Sequence, residues 1–246
     1  METVPDWSGL SSLGYSVFSS ITKSRFGVYR ILGGEINVES RDRVLKCIAR
    51  QPTDRVPIRM TAEAQTYEVI QQHLGLPDRE AVWRRFGVDF REVARTRRNP
   101  CDEETSSATR TVTTSTGVIH TFTVNPPLAA LSTPQELDSY SWESIEQWDW
   151  SSITEQAATM EHDSSFFLMY KVGCLFTEAC ELCGMTKFLT DIALNASFAN
   201  RLLRILTDRI MEDIERAGAA GSDCIDTINL SDDLGGQQSL ILSPDM

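Results

Sequence analysis

Residues 166–236 read FFLMYKVGCLFTEACELCGMTKFLTDIALNASFANRLLRILTDRIMEDIERAGAAGSDCIDTINLSDDLGG. Phe166–Val172 is an unbroken apolar run closed by Gly173, the pattern of a strand buried on both faces. Helical spacing follows over about 175–194, interrupted near Gly184. Asn195 is placed to cap a longer helix, with Phe198, Leu202, Ile205, Ile210 and Ile214 along one side and Gly218 and Gly221 at its end. A second strand follows at 224–230, CIDTINL, and then Ser231-Asp232-Asp233-Leu234-Gly235-Gly236. Strand, helices, strand is a parallel βαβ unit, because a parallel partner needs a long crossover.

Upstream, the same alternation continues. Ser40 is placed to cap RDRVLKCIAR, and Val56-Pro57-Ile58-Arg59-Met60 reads as a short buried strand. Residues 63–74 return to helical spacing, closed by Gly75 and Pro77. Asp78 starts another helix, REAVWRRF, and Gly87 ends it. Val88–Val93 alternates as a strand. Residues 110–115 and 118–124 are β-rich runs around Thr116-Gly117, a hairpin inserted into the alternation. Residues 125–152 read as a long surface connection with one short helix near 133–136. Residues 1–39 read as an extension with a helix between Tyr15 and Leu32. No glycine-rich phosphate loop is present. The fold class is therefore α/β, with a (β/α)8 TIM-barrel-like domain over 40–246 and a doubly wound sheet as the competing architecture.

The chain has 246 residues, 35 acidic against 23 basic, and a formal charge of -12. Such a surface repels phosphate backbones, which argues against nucleic acid and anionic membranes as partners. The N-terminus has no basic start followed by an apolar core, so no secretory leader is expected. The six cysteines show no disulfide framework. Cys180 and Cys183 form a lone C-x-x-C on a helix, read as core packing. Free thiols and the missing leader fit a cytoplasmic protein.

Five stretches in order resemble the uroporphyrinogen decarboxylase-like (URO-D-like) superfamily: RDRVLKCIARQPTDRVPI (41–58), WRRFGVDFREV (83–93), STPQELDSYSW (132–142), YKVGCLFTEACELCGMTKFL (170–189) and SDCIDTINLSDDLGGQQSLILSP (222–244). The resemblance implies a (β/α)8 barrel of a lyase or methyltransferase lineage, acting on a small carboxylate or a tetrapyrrole-related ligand. The alternative is a non-catalytic accessory or binding protein of the same fold.

This sequence departs from both of the family's main chemistries. The haem-pathway enzyme carries an Arg-Gln-Ala-Gly-Arg motif after the first strand, whose arginines hold propionates. Here Ala62-Glu63-Ala64-Gln65-Thr66 stands there, with an acid and no arginine. The haem-pathway enzyme's catalytic Asp falls near Thr96, where this chain has no acid, and its pocket Tyr near Glu181. The methyltransferase branch is better matched by Ser231-Asp232-Asp233-Leu234-Gly235. Its zinc ligands include a His-x-Cys pair, and none of His73, His120 or His162 has a Cys two residues later. No metal or cofactor is expected.

In a barrel the active site lies at the strand C-termini. Asp232 and Asp233 follow a strand, so they are the candidate catalytic acids. Adjacent residues point opposite ways, so one of the two faces the pocket; the competing reading is a loop acid capping a turn. Arg59, Asp89 and Glu178 are the candidate substrate-binding residues. For Asp89 the competing reading is an ion pair to Arg59 or Arg91, since an acid in a strand is costly unless paired. Glu178 opens the helix after Gly173, where a carboxylate also favours the helix dipole. Only about four strands are expected, near 56–60, 88–93, 166–172 and 224–230, against the eight of a closed barrel. The expectation is a partial barrel, truncated or closed by a homodimer.

Overall fold

The structure is a computed structural model and describes residues 38–98, 109–113, 119–161, 166–221 and 223–244. The expected helix between 15 and 32, the turn at Thr116-Gly117 and His162 lie outside these residues.

Three strands form a parallel sheet in the order β1 (Phe90–Val93), β6 (Phe167–Lys171), β7 (Thr227–Asn229). The central strand β6 is buried on both faces, as its unbroken apolar run requires. Between β1 and β6 come the short pair β2 (Thr96–Arg97) and β5 (Trp148–Asp149), and the hairpin β3 (Thr109–Thr113) and β4 (Ile119–Thr123). The same interval holds helix α4 (Pro134–Ser139) and helix α5 (Ser151–Glu161). Thr133 caps α4 in a reciprocal box with Glu136. Helix α5 was not expected from the sequence. It lays Ile153 and Ala157 against the sheet beside Val93 and Leu168.

From β6 to β7 the crossover is α6 (Phe176–Cys183), α7 (Met185–Leu194) and α8 (Ala196–Gly221). Gly184 separates α6 from α7 at φ 84°, a conformation that side-chain-bearing residues rarely adopt. The first half of α8 packs Phe198, Leu202 and Leu206 onto Phe176 and Phe188. Its second half turns Ile210 and Ala217 to Tyr170 and Val172 of the sheet layer. One helix thus ties two apolar clusters together. At Gly221 an ideal Cβ would lie 2.6 Å from Ile225 and 2.9 Å from Ile153, so only glycine closes α8 here.

Before the sheet come α1 (Ser40–Ile48), α2 (Ala64–Leu74) and α3 (Arg79–Arg85). Asp78 caps α3 through the Ala81 N–H. The expected strand at 56–60 is a correction: this segment is not a strand, and Val56 is 78% exposed. Pro57 has no N–H to donate. Ile58 accepts from the Asp89 N–H at 2.8 Å, but its own N–H turns to the Asp89 carboxylate at 2.8 Å, so a side chain takes the place of a ladder bond.

Helix α1 is held to the N-terminal ends of the strands by charge. Asp89 and Asp226 each stand one residue before a strand. Arg43 reaches Asp89 at 2.5 Å and Arg41 reaches Asp226 at 2.7 Å. Asp226 also accepts the Leu168 N–H at 2.8 Å, extending the β6–β7 pairing by one bond.

Candidate functional site

At the other end of the sheet, beyond the C-termini of β1 and β6, lies a cavity of about 380 Å³. Its wall includes Arg95 after β1, Gly173 after β6, Glu178 of α6, and Arg209 and Asp213 of α8. Glu143, ahead of β5, and Trp148, the first residue of β5, complete the lining on that side.

The polar centre is built by Tyr170, the last buried residue of β6. Its hydroxyl donates to Asp213 Oδ1 at 2.6 Å and accepts from Arg95 Nη1 at 2.9 Å. Arg95 Nη1 also bonds Asp213 Oδ2. The Arg95 guanidinium stacks on Trp148, 4.3 Å from the ring centroid. Burial, reinforced by the Asp213 carboxylate, pushes the Tyr170 hydroxyl well above the usual phenol range, so it is a fixed donor at physiological pH. Two buried donors in this neighbourhood, Arg95 Nε and the Trp150 indole N–H, have no partner among the described residues. Arg95 stands 5.6 Å from the Trp150 ring.

Glu178 projects over Gly173. An ideal Cβ there would meet Glu178 Oε2 at 3.0 Å, so the glycine lets the carboxyl lie close on the strand end. Burial raises the Glu178 pKa above the ordinary carboxylate value, Arg209 and Arg95 oppose the shift, and Glu181 and Asp213 add to it. Arg209 donates to the Glu143 carbonyl at 2.9 Å and lies over Trp142. Among the described residues no carboxylate oxygen is within 4 Å of its guanidinium. A raised carboxyl and an uncommitted guanidinium on one cavity wall are a combination that can bind an anion and deliver a proton.

The residues expected to form the site do not all meet there. Glu178 lines the cavity. Asp232 stands at the C-terminal end of β7, but both its oxygens face the start of α6: it accepts from the Phe176 N–H at 2.6 Å, the Thr177 N–H at 2.9 Å and the Thr177 hydroxyl at 2.7 Å. Those bonds hold its carboxyl below the usual range against the opposing effect of burial. Asp233 is exposed beside it. Arg59 is half exposed and pairs with Glu92 at 3.2 Å. Asp89 is fully buried at the opposite end of the strands, with Arg43 at 2.5 Å, Arg55 at 2.7 and 2.8 Å, and the Ile58 N–H at 2.8 Å. It has no exposed surface with which to meet a substrate. Its partners are not Arg59 or Arg91; Arg91 forms a two-point bond with Glu80 at 2.7 and 2.9 Å.

Arg95, Tyr170, Asp213 and Arg209 were not singled out from the sequence. A signal existed for Asp213. Leu202, Leu206, Ile210, Asp213 and Ala217 form one helical stripe, and an acid on an apolar stripe calls for a partner. Arg95 follows β1 by two residues, at the C-terminal end of a parallel strand, where α/β sheets place their ligand-binding groups.

Burial raises the thiols of Cys180 and Cys183 to about 11, so both are protonated at neutral pH. Among the described residues no group of three or more His, Cys, Asp or Glu side chains is arranged to hold a metal ion, and no helix is long and apolar enough to cross a membrane. No family model, curated protein or solved structure matches the chain.

Proposed function

We propose that this chain is a URO-D-like protein of barrel lineage that binds a small carboxylate at the C-terminal strand ends and delivers a proton to it from Glu178. The observation that carries this reading is the pairing of Glu178 with Arg209 in one polar cavity. The fold supports it in two ways. The three parallel strands follow one another in chain order, β1-β6-β7, as barrel strands do. The cavity lies at their C-terminal end. Of the two chemistries of the family, decarboxylation suits the cavity better. Breaking the carbon–carboxylate bond releases CO2 and leaves an electron pair on carbon, which must take a proton. Burial raises the Glu178 pKa, which favours its protonated form as the donor of that proton.

The test is calorimetric titration of the protein with small carboxylates, combined with measurement of released CO2. Binding with CO2 release in the wild type, and binding without release in Glu178→Gln, is the expected result. Absence of binding by every carboxylate tested sinks the proposal. A second reading, binding without turnover, is favoured by Asp232, the expected catalytic acid, having both oxygens engaged in capping α6. Carboxylate binding with no CO2 released at any pH would select it.

A further inference from the structure

The chemical class of the ligand follows from counting the charges around the cavity, given the preceding reading that it binds a carboxylate. Four carboxyl groups and two guanidinium groups line it. Three of the four carboxylates are matched. Glu143 pairs with Arg97 at 2.6 Å, Glu212 with Arg216 at 3.2 Å, and Asp213 with Arg95 and the Tyr170 hydroxyl. What remains is Arg209, whose partners are a main-chain carbonyl and the Trp142 ring, and Glu178, which has no cation within 4 Å among the described residues. One uncommitted cation neutralises one ligand charge. A second ligand carboxylate would find no further cation to answer it, and would meet the unmatched Glu178. Besides Ser144 and Gly173, the wall carries an apolar and aromatic portion: Ile145, Trp148, Leu206 and Ile210. The volume of about 380 Å³ stands near the small end of ligand cavities.

We propose that the cavity selects a small monocarboxylic acid with an apolar or aromatic body, its carboxylate on Arg209 and its body against Trp148 and Leu206, and that it rejects dicarboxylates and polycarboxylates. The tetrapyrrole polyacids of the haem pathway are rejected on the same ground. Glu178 is the discriminating group, because its proton decides whether the wall facing the ligand is neutral or negative. The titratable groups around it are Arg209, Asp213 and Glu212 from α8, Arg95 beyond β1, Cys174 beyond β6, Glu181 on its own helix and Glu143 across the cavity. Of these, Glu178 has the raised carboxyl pKa, and the Cys174 thiol is pushed up and neutral. Monocarboxylate affinity therefore falls as the pH rises and Glu178 loses its proton.

The experiment is titration of the full chain with two matched pairs, butyrate against succinate and benzoate against phthalate, at mildly acidic and mildly alkaline pH. The expected result is monocarboxylate binding at least about tenfold tighter than that of the matched dicarboxylate, since an unanswered like charge costs several kcal/mol. Arg209→Ala abolishes binding of both, and Arg209→Lys, which keeps the charge, retains part of it. In Glu178→Gln the pH dependence flattens and the dicarboxylate penalty shrinks. Dicarboxylates that bind as tightly as their partners, or selectivity and pH dependence unchanged in Glu178→Gln, overturn the inference while leaving the carboxylate reading intact. If neither member of either pair binds, the carboxylate reading itself fails and takes the inference with it.

Discussion

Removing the Asp89 carboxylate tests the charge-built end of the fold. In Asp89→Ala, four partners lose their acceptor: Arg43, Arg55, the Ile58 N–H and the Ser40 side chain. They do not lose it equally. Arg43 is nearly buried but keeps Asp54, which it holds through two bonds at 2.7 and 2.8 Å. The Arg55 side chain is 36% exposed and can turn to water. The Ile58 N–H is left without its acceptor. Breaking a buried ion pair by deleting one partner costs ~3–5 kcal/mol. The surviving Arg43–Asp54 pair places Asp89→Ala near the low end, about 3 kcal/mol. Asp89→Asn keeps the shape and one acceptor oxygen, so its cost is set by weakened charge-assisted bonds, about 1–3 kcal/mol. Urea unfolding measures both. With a slope of about 2 kcal/mol per molar, Asp89→Ala lowers the midpoint by about 1.5 M, with the slope unchanged. Acid adds an independent check. Burial opposes ionisation of the Asp89 carboxyl, but hydrogen bonds from Arg55, the Ile58 N–H, Ser40 and Arg43 together lower its pKa. A lowered folded pKa means the contribution is present above the unfolded value of about 4 and is lost as pH falls through the folded one. The gap between wild type and Asp89→Asn therefore narrows in acid. A loss below about 1 kcal/mol for Asp89→Ala, or a greater loss for Asn than for Ala, would refute the reasoning.

Three further outcomes are expected. Leu202→Ala, at a fully buried position between α6 and α8, costs ~2–5 kcal/mol by urea unfolding, with the parallel sheet retained in circular dichroism. Asp232→Ala removes the acceptor of three donors at the start of α6 and costs ~0.5–2 kcal/mol, with hydrogen exchange accelerating at Phe176 and Thr177 first. Glu178→Gln raises the melting temperature in mildly alkaline buffer: a carboxyl whose folded pKa is raised destabilises the fold above that pKa, and the penalty fades as pH falls to the unfolded value. An unchanged melting temperature across that pH range would show that the burial of Glu178 carries no energetic cost.

What the sequence discloses here is periodicity, and what it withholds is partnership. The run Phe166–Val172 and the apolar stripe of α8 are visible because burial on two faces and on one helical face leaves different spacings, and both elements form where expected. Helix α5 is hidden in the sequence because SSITEQAATME offers Ile153, Ala157 and Met160 as its apolar contacts among polar residues, too sparse a stripe to stand out. The segment 56–60 failed for the opposite reason. Its apolar letters resemble a strand, but Pro57 and a long-range side chain redirect its hydrogen bonds. Asp89 and Asp213 sharpen the point. Each is an acid in an apolar pattern, which signals that a cation must be near. Nothing local says that Arg43 and Arg55 answer the first and Arg95 the second, the last from 118 residues away. Nor does composition say which acid is structural. Position along the strands decides it. Asp89 stands before β1, where α1 and the 54–58 segment close over it from outside, and nothing is left to meet a ligand. Asp213 faces the far end of β6, on the wall of the cavity beyond the strand ends. The same device, a buried carboxylate holding an arginine, locks the fold at one end of the sheet. At the other it holds Arg95 in place, and leaves Glu178 and Arg209 facing open space.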